Sequence, residues 1–274
     1  MEILKAILFG IIEGITEWLP VSSTGHMILL DEFIKLDVSE EFYKLFEVVI
    51  QLGAILAVVI VYFKTIFPWG FGKTKKDTKN TFNLWGKILV ACIPAAVLGI
   101  LLDDLLDKYL YNAIVVSIAL IVYGIIIIII ENKNISKNTT KTLDDITYTQ
   151  AFKIGCFQLL ALIPGTSRSG STIIGGLSLD FERPNIANFT FLLAIPVMAG
   201  ASLLKLLKYI LDFGFNFNTN ELLILGTATL TAFIVSLAVI RVFLNYIKKH
   251  DFKVFGYYRI ILGIIVLLYF LLIK

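Results

Sequence analysis

The chain has 274 residues, of which 58% are hydrophobic and 16% are charged, and its mean hydropathy is +0.86. Soluble domains contain about 45–50% apolar residues, so this composition indicates a polytopic membrane protein and excludes a chain of soluble domains. The net charge of +3 says little by itself, and we expect no nucleic-acid partner. Two cysteines and two histidines are too few for a zinc site built from those ligands.

The first apolar segment, residues 2–35, is interrupted by the sequence GIIEGITEWLPVSSTGH at residues 10–26. Pro20 is expected to end a first helix because it lacks an amide hydrogen. The hydroxyl residues that follow it can cap a second helix. Two short helices around a polar turn predict a re-entrant hairpin, which is tolerated at membrane depth only where protein or water surrounds it.

The remaining chain repeats this order of segments. Three predicted spans, at about 43–63, 84–102 and 112–130, precede a polar linker at 132–150. A second interrupted stretch, 151–180, contains LIPGTSRSGSTIIGG, and three further spans follow at about 186–209, 221–247 and 255–273. We therefore predict an all-α integral membrane protein with an inverted-topology repeat, residues 1–131 and 151–274, because each half crosses the membrane an odd number of times. Interrupted helices in two inverted halves indicate a binding site near the midplane.

The distribution of lysines predicts the orientation, because cytoplasmic loops are enriched in Lys and Arg. Lysines crowd the loop at 64–87 and the turn near 248–253, and the linker carries Lys133, Lys137 and Lys141. The loop at 103–111 is acidic, with Asp103, Asp104 and Asp107. The lysine-rich segments are then cytoplasmic, and both termini and the opening of the first hairpin lie outside.

Glu13 and Glu17 are spaced i,i+4, so their carboxylates share one face of the first helix. Like charges at this spacing repel each other unless a cation, an arginine or a shared proton compensates. This pattern favours a divalent-cation site or a general acid–base pair, and the alternative is a solvated helix end.

Ser22, Ser23 and Thr24 begin the second helix and read either as plain capping residues or as part of a site. His26 follows Ser23 at i+3, a spacing at which a nucleophile and a base can meet or face one ligand.

The second interrupted stretch predicts a phosphate-binding turn. It combines glycines, hydroxyl residues and an arginine, whose planar fork pairs with phosphate oxygens, at the positions Gly165, Thr166, Ser167, Arg168, Ser169 and Thr172. The alternative is an interfacial arginine among capping hydroxyls. If both turns meet in one cavity, the acids would repel a phosphate ligand, which argues for Mg²⁺ or Ca²⁺ held by Glu13 and Glu17.

Two further groups remain open. Glu47 and Gln51, at i,i+4 in the first full span, line a lipid tunnel in one interpretation, and Glu47 reaches the membrane interface in the other. Tyr257, Tyr258 and Arg259 fit an interfacial belt and a position behind the site equally well.

EGITEWLPVSSTGH together with PGTSRSGST resembles the undecaprenyl-diphosphate phosphatase (bacitracin resistance protein) family. FEVVIQLGAILAV at 46–58, FLLAIP at 191–196 and YYRIILG at 257–263 extend the resemblance over nearly the whole chain. Trp18 stands where the family often has Phe, and Ser171 where it often has Ala; neither change removes a reactive group.

The resemblance implies a plasma-membrane phosphatase that converts a polyprenyl diphosphate to the monophosphate and recycles the lipid carrier for cell-wall and envelope glycans. The resemblance is also compatible with a homodimer. Its catalytic residues fall on Glu13, Glu17, Ser23, His26 and Arg168, with Ser167 and Thr172 as phosphate contacts, to which we add Ser22, Thr24, Gly165, Thr166 and Ser169. Because inverted repeats with broken helices are also typical of transporters, a polyprenyl-phosphate flippase or other secondary transporter is the alternative.

Overall fold

The computed structural model describes residues 1–70, 72–133 and 142–272, without the side chains of residues 103, 104 and 107. Lys137, Lys141 and the three acidic side chains of the 103–111 loop, which entered the orientation prediction, therefore lie outside the described residues. The fold is built from helices, and no β-strand occurs in the described ranges.

The chain begins with two short helices, α1 (Glu2–Thr16) and α2 (Ser23–Phe33). The rest of the first half comprises α3 (Glu40–Val49), α4 (Gln51–Val61), α5 (Phe63–Ile66), α6 (Lys75–Leu110) and α7 (Ala113–Asn132). The second half again begins with short helices, α8 (Tyr148–Gln158), a 3₁₀ turn (Leu159–Leu162) and α9 (Arg168–Leu177). Three long helices complete it: α10 (Arg183–Phe213), α11 (Thr219–Ile247) and α12 (Lys253–Leu272).

Six helical segments in the described ranges are long and apolar enough to cross a bilayer. They are Glu40–Val61, Lys75–Leu102, Ala113–Asn132, Arg183–Phe213, Thr219–Ile247 and Lys253–Leu272. Their outward faces carry large apolar side chains such as Leu101, 72% exposed, and Val242, 69% exposed. Such faces suit a lipid environment, and the six predicted spans are confirmed as helices of sufficient length.

Two predicted loops are shorter than expected because α6 is longer than the predicted span. The side chain of Thr74 accepts a hydrogen bond from the amide of Asp77, and the Asp77 carboxylate accepts one from the amide of Thr74, which starts the helix at Lys75. The lysines at 75, 76, 79 and 87 therefore lie on α6 and not in a loop. The helix also continues to Leu110, so most of the predicted loop at 103–111 is helical.

Close helix contacts hold the short helices of each half in place. α1 packs against α11, and α8 packs against α6. A Cβ atom on Gly10 would lie 2.5 Å from the carbonyl oxygen of Ala228, and one on Gly155 would lie 2.3 Å from that of Ala91. Only a residue without a side chain allows these backbones to approach so closely.

A buried ion pair joins α7, α10 and the turn before α12. The carboxylate of Glu131 accepts hydrogen bonds from the Arg183 guanidinium, at 2.9 Å from Nε, and from the backbone amide of Phe252 at 3.0 Å. The Glu131 side chain is 2% exposed. This contact fixes the ends of three long helices against one another.

Candidate active site

Two turns of unusual backbone conformation meet at the centre of the site. Ser22 and Ser167 have φ angles of 73° and 74°, a region that non-glycine residues rarely adopt. Each caps the helix that follows it, because the Ser22 hydroxyl accepts from the amide of Gly25 at 3.3 Å and the Ser167 hydroxyl accepts from that of Gly170 at 3.1 Å. The backbone therefore enters α2 and α9 in the same conformation and with the same kind of cap.

Glu17, Ser23 and Arg168 form a hydrogen-bonded cluster between these turns. The Ser23 hydroxyl donates to Oε2 of Glu17 at 2.5 Å, and Nη2 of Arg168 donates to Oε1 of the same carboxylate at 3.0 Å. Nη1 of Arg168 donates to the backbone carbonyl of Thr190 at 3.0 Å. Glu17 and Ser23 are buried, 6% and 8% exposed. An acid and a serine of the first interrupted stretch thus meet the arginine of the second one.

Arg259 lies behind both turns and connects them. It is completely buried, and its Nη1 donates to the carbonyl of Pro20 at 3.1 Å while its Nη2 donates to that of Gly165 at 2.7 Å. Its guanidinium also lies 5.8 Å from the centre of the Tyr123 ring. Of the two positions left open for Arg259, the structure selects the one behind the site.

His26 and Ser23 make no hydrogen bond to each other, so of the two options for their spacing the one that stays a prediction is that both face one ligand. Nδ1 of His26 is 2.7 Å from the carbonyl of Ser22, which can only accept, so this nitrogen carries the donated hydrogen. Nε2 is then the acceptor for the Tyr258 hydroxyl at 2.7 Å, and the two rings are stacked. Because Tyr258 holds the imidazole and Glu17 holds the serine, the i,i+3 spacing does not bring the two side chains together.

Several predicted phosphate contacts of the second turn are engaged within the protein. The Thr166 hydroxyl donates to the carbonyls of Leu160 and Ile163, both at 2.8 Å, and closes the turn that precedes α9. The Thr172 hydroxyl is fully buried and within 3.0 Å of the Thr190 hydroxyl. In this structure both threonines support the shape of the turn.

The other predicted residues of this turn also make internal contacts. The Ser169 hydroxyl donates to the carbonyl of Leu19 at 3.2 Å and lies 3.1 Å from the Ser167 hydroxyl. Gly165 has a φ of +91°, and a Cβ there would lie 2.6 Å from the Val116 carbonyl oxygen. Gly165 is therefore required by backbone conformation and packing.

A polar cavity of about 130 Å³ adjoins the cluster. Glu13 and Thr24 reach it from α1 and α2, and Glu47 and Gln51 reach it from the first long span. The remaining lining residues are Met27, Lys44, Val48, Tyr111 and Lys205. The predicted tunnel residues Glu47 and Gln51 thus share a cavity with Glu13 of α1, but its wall is rich in charged groups.

Glu13 differs from Glu17 in its surroundings. It is 1% exposed, and its Oε1 has no hydrogen-bond partner, although a buried carboxylate oxygen normally has one. Carboxylate, amide and hydroxyl oxygens are the ligands that Mg²⁺ and Ca²⁺ prefer, and Glu13, Glu47, Gln51 and Thr24 supply them around one cavity. No group of three or more His, Cys, Asp or Glu side chains close enough to hold a metal occurs among the residues that the structure describes. The oxygens around the cavity are of the kind that hard cations bind, whereas the Glu17 carboxylate is already paired with Arg168.

Sequence reasoning did not single out Thr190, Lys44 or Lys205, and it left Tyr258 and Arg259 undecided. An arginine seven residues into an apolar helix was a usable signal for Arg259, because a charge in a membrane helix is costly unless it has partners. Thr190 contributes a backbone carbonyl, for which no sequence pattern exists.

The fold and this cluster define a multi-pass helical membrane protein with a buried arginine–carboxylate–serine site suited to phosphate chemistry. The chain belongs to the family described as bacitracin resistance protein BacA, whose family model matches residues 6–265. It is 57% identical over 272 residues to an undecaprenyl-diphosphatase of Enterococcus faecalis, covering 98% of this chain and 97% of that one.

Two further relatives carry the same name. An undecaprenyl-diphosphatase of Acetivibrio thermocellus is 54% identical over 275 residues and is covered over the full length of both chains. One of Desulfitobacterium hafniense is 58% identical over 272 residues, 98% of this chain and 96% of that one.

Proposed function

We propose that the protein hydrolyses undecaprenyl diphosphate to undecaprenyl phosphate and inorganic phosphate, and so recycles the lipid carrier for cell-wall and envelope glycan synthesis. The observation that carries this function is the cluster of Glu17, Ser23 and Arg168 at the junction of the two turns. Relatives of more than half identity over the whole chain, named for this activity, support the same assignment.

The two halves are proposed to be inverted repeats, each a re-entrant hairpin followed by three spans. The shared cap and backbone conformation of Ser22 and Ser167 support this proposal. The packing of α1 on α11 and of α8 on α6 supports it too, since each hairpin helix rests on the middle long helix of the other half. In this arrangement the hairpins meet near the midplane, and their junction opens to the outer face of the plasma membrane.

The chemistry proposed for the site begins with Arg168. Its guanidinium binds oxygens of the terminal phosphate, an anion that a planar donor fork matches well. The Ser23 oxygen attacks the terminal phosphorus, and its proton passes to Glu17, its hydrogen-bond partner at 2.5 Å. The anhydride P–O bond breaks, and undecaprenyl phosphate leaves with the bridging oxygen.

A water molecule then attacks the phosphoserine, inorganic phosphate is released, and the proton held by Glu17 returns to the serine oxygen. The alternative is direct attack by water on the diphosphate. His26 is not the proton acceptor in this scheme, because its ring is held by Ser22 and Tyr258.

We propose that Glu13, with Glu47, Gln51 and Thr24 nearby, holds a divalent cation. When bound, Mg²⁺ or Ca²⁺ offsets the negative charge of the transferred phosphoryl group. Arg168 and the two turns perform the binding and orientation whether the cation enters before the lipid or together with it.

Phosphate release from a polyprenyl diphosphate by the purified protein in detergent, with and without a chelator, tests the function. We expect release that the chelator suppresses and added Mg²⁺ or Ca²⁺ restores. Arg168→Ala and Ser23→Ala proteins should be inactive under the same conditions. Full activity in both variants would refute the assigned site, and an inactive wild-type protein that moves lipid between vesicle leaflets would identify a flippase instead.

A further inference from the structure

The polar cavity beside the reactive cluster has a deep end and an exposed end. Glu13 and Met27 are each 1% exposed, whereas Tyr111 is 49% exposed and Lys44 is on the surface. The cavity therefore runs from α1 and α2 to the outside of the protein. Its deep end includes Thr24, the residue that follows Ser23 of the cluster in sequence.

The formal charges of the side chains around this cavity sum to zero. Its wall contains two glutamates, Glu13 and Glu47, and two lysines, Lys44 and Lys205. Binding of a divalent cation to the acids would leave the wall with a net charge of plus two, which matches a phosphate dianion. The unpartnered Oε1 of Glu13, at the deep end, indicates that the acids are arranged for an added ligand.

The two products of diphosphate hydrolysis differ in where they can go. The lipid monophosphate remains in the bilayer, whereas inorganic phosphate needs a hydrated path out of a site buried among membrane helices. A cavity of about 130 Å³ far exceeds the ~10–15 Å³ of such space that one water molecule needs, so it has room for a phosphate ion. Its charged wall is unsuited to an apolar polyprenyl chain.

We propose that this cavity is a binding site for inorganic phosphate, with Lys44 and Lys205 as its cationic ligands, through which the product leaves. The proposal rests on the proposed function for the origin of the phosphate. Lys44 lies on α3 and Lys205 on α10, so the two ammonium groups approach the cavity from separate helices. Both lysines lie outside the two turns that carry the reactive cluster.

Product inhibition by inorganic phosphate is the first test. Lys44→Gln and Lys205→Gln should each raise the inhibition constant for phosphate about tenfold, as expected for loss of a hydrogen bond between charged groups. Lys205→Arg should retain most of the inhibition because the charge remains. Lys208→Gln is the matched control, since Lys208 lies one turn further along α10, is also half-buried and does not line the cavity. Its inhibition constant should equal that of the wild type.

Calorimetric titration with inorganic phosphate separates this proposal from the proposed function, because it needs no turnover. The wild type should bind phosphate more tightly with Mg²⁺ than without it, and the Lys44→Gln/Lys205→Gln double variant should lose this binding. Thermal unfolding in detergent confirms that each variant is folded. If the wild type hydrolyses the lipid and all lysine variants keep the wild-type affinity for phosphate, the cavity proposal is overturned while the function stands. If the wild type hydrolyses nothing but binds phosphate through these lysines, the function fails and the site stands.

Discussion

The carboxylate of Glu17 accepts a hydrogen bond from Nη2 of Arg168 at 3.0 Å, although 151 residues separate the two in sequence. The pair is largely buried, with the side chains 7% and 12% exposed. Each residue alone would be an uncompensated charge between membrane helices, which is costly. The two interrupted stretches are therefore coupled through this pair, and neither of them contains the complete site.

This coupling predicts non-additive effects of mutation. Glu17→Gln and Arg168→Gln should each lower kcat by on the order of 10²–10³-fold, the cost of losing one preorganised group at the reacting phosphate. The double variant should be about as inactive as the worse single variant, because residues that act as one unit are not additive. The measurement is the initial rate of phosphate release by the wild type, the two single variants and the double variant. If the loss of kcat in the double variant equalled the product of the two single losses, the two residues would act independently.

Ser23 and His26 should differ strongly in their importance. Ser23→Ala removes the hydroxyl bound to Glu17 and should abolish turnover, whereas His26→Gln should cost only about tenfold or less, below the 10²–10⁴-fold typical of a lost acid–base group. Tyr258→Phe, which removes the hydroxyl that His26 Nε2 accepts from, serves as the control and should resemble His26→Gln.

Acid quenching of a reaction with terminally labelled diphosphate provides the direct readout for the nucleophile. Labelled phosphoserine at Ser23 supports serine attack. Its absence, together with a histidine variant as inactive as Ser23→Ala, would move the chemistry to His26 or to water.

The long spans could be predicted from the sequence because hydropathy is a property of one continuous segment. The ends of α6 could not, since a capping box at Thr74 and Asp77 extends the helix through lysines that read as a loop. The two interrupted stretches can also be aligned on Gly10 and Gly155. Counted to their prolines the halves differ by one residue, whereas Ser22 and Ser167 follow Gly10 and Gly155 at equal spacing.

The site was predictable in its composition and less so in its contacts. The sequence showed which reactive side chains the two turns carry, because such residues stand out against apolar flanks. It could not show that Ser23 forms its hydrogen bond with Glu17. Nor could it show the hydrogen bond between His26 and Tyr258, which lie 232 positions apart. Backbone carbonyls such as that of Thr190 have no sequence signature at all.

Substitution of glycine by alanine is expected to change the stability of the protein in opposite directions at two positions. A Cβ on Gly53, in α4, would lie 2.1 Å from the carbonyl oxygen of Thr229 on α11, so Gly53→Ala must separate two packed helices. A Cβ on Gly200, in α10, would meet nothing within 4 Å. Gly53→Ala should therefore lower the free energy of unfolding by about 1–3 kcal/mol, as overpacking does. Gly200→Ala should raise it by roughly 0.5–1 kcal/mol, because alanine loses less backbone entropy in a helix.

Unfolding in detergent, followed by circular dichroism, measures both glycine variants against the wild type. A Gly53→Ala protein as stable as the wild type would indicate that α4 and α11 are not in close contact. Diphosphatase activity should follow stability in both variants, since neither glycine belongs to the reactive cluster.

Arg259 provides the last test, because it holds the two turns through their backbones and touches neither Glu17 nor Ser23 by a hydrogen bond. Arg259→Lys keeps the charge, but one ammonium lacks the planar fork that reaches the carbonyls of Pro20 and Gly165 together. We expect a folded protein with kcat lowered about 10- to 100-fold, since displacement of positioning groups by about 1 Å can cost 10²-fold.

Arg259→Met should do more damage, because it leaves both buried carbonyls without a donor, at about 1–3 kcal/mol each. Lower thermal stability of the methionine variant, with partial rescue of kcat by lysine at unchanged KM, would establish a positioning role. If the lysine variant instead raised KM and left kcat unchanged, Arg259 would have to act on the bound lipid, and the two turns would be held together by their other contacts, such as Ser169 on the carbonyl of Leu19.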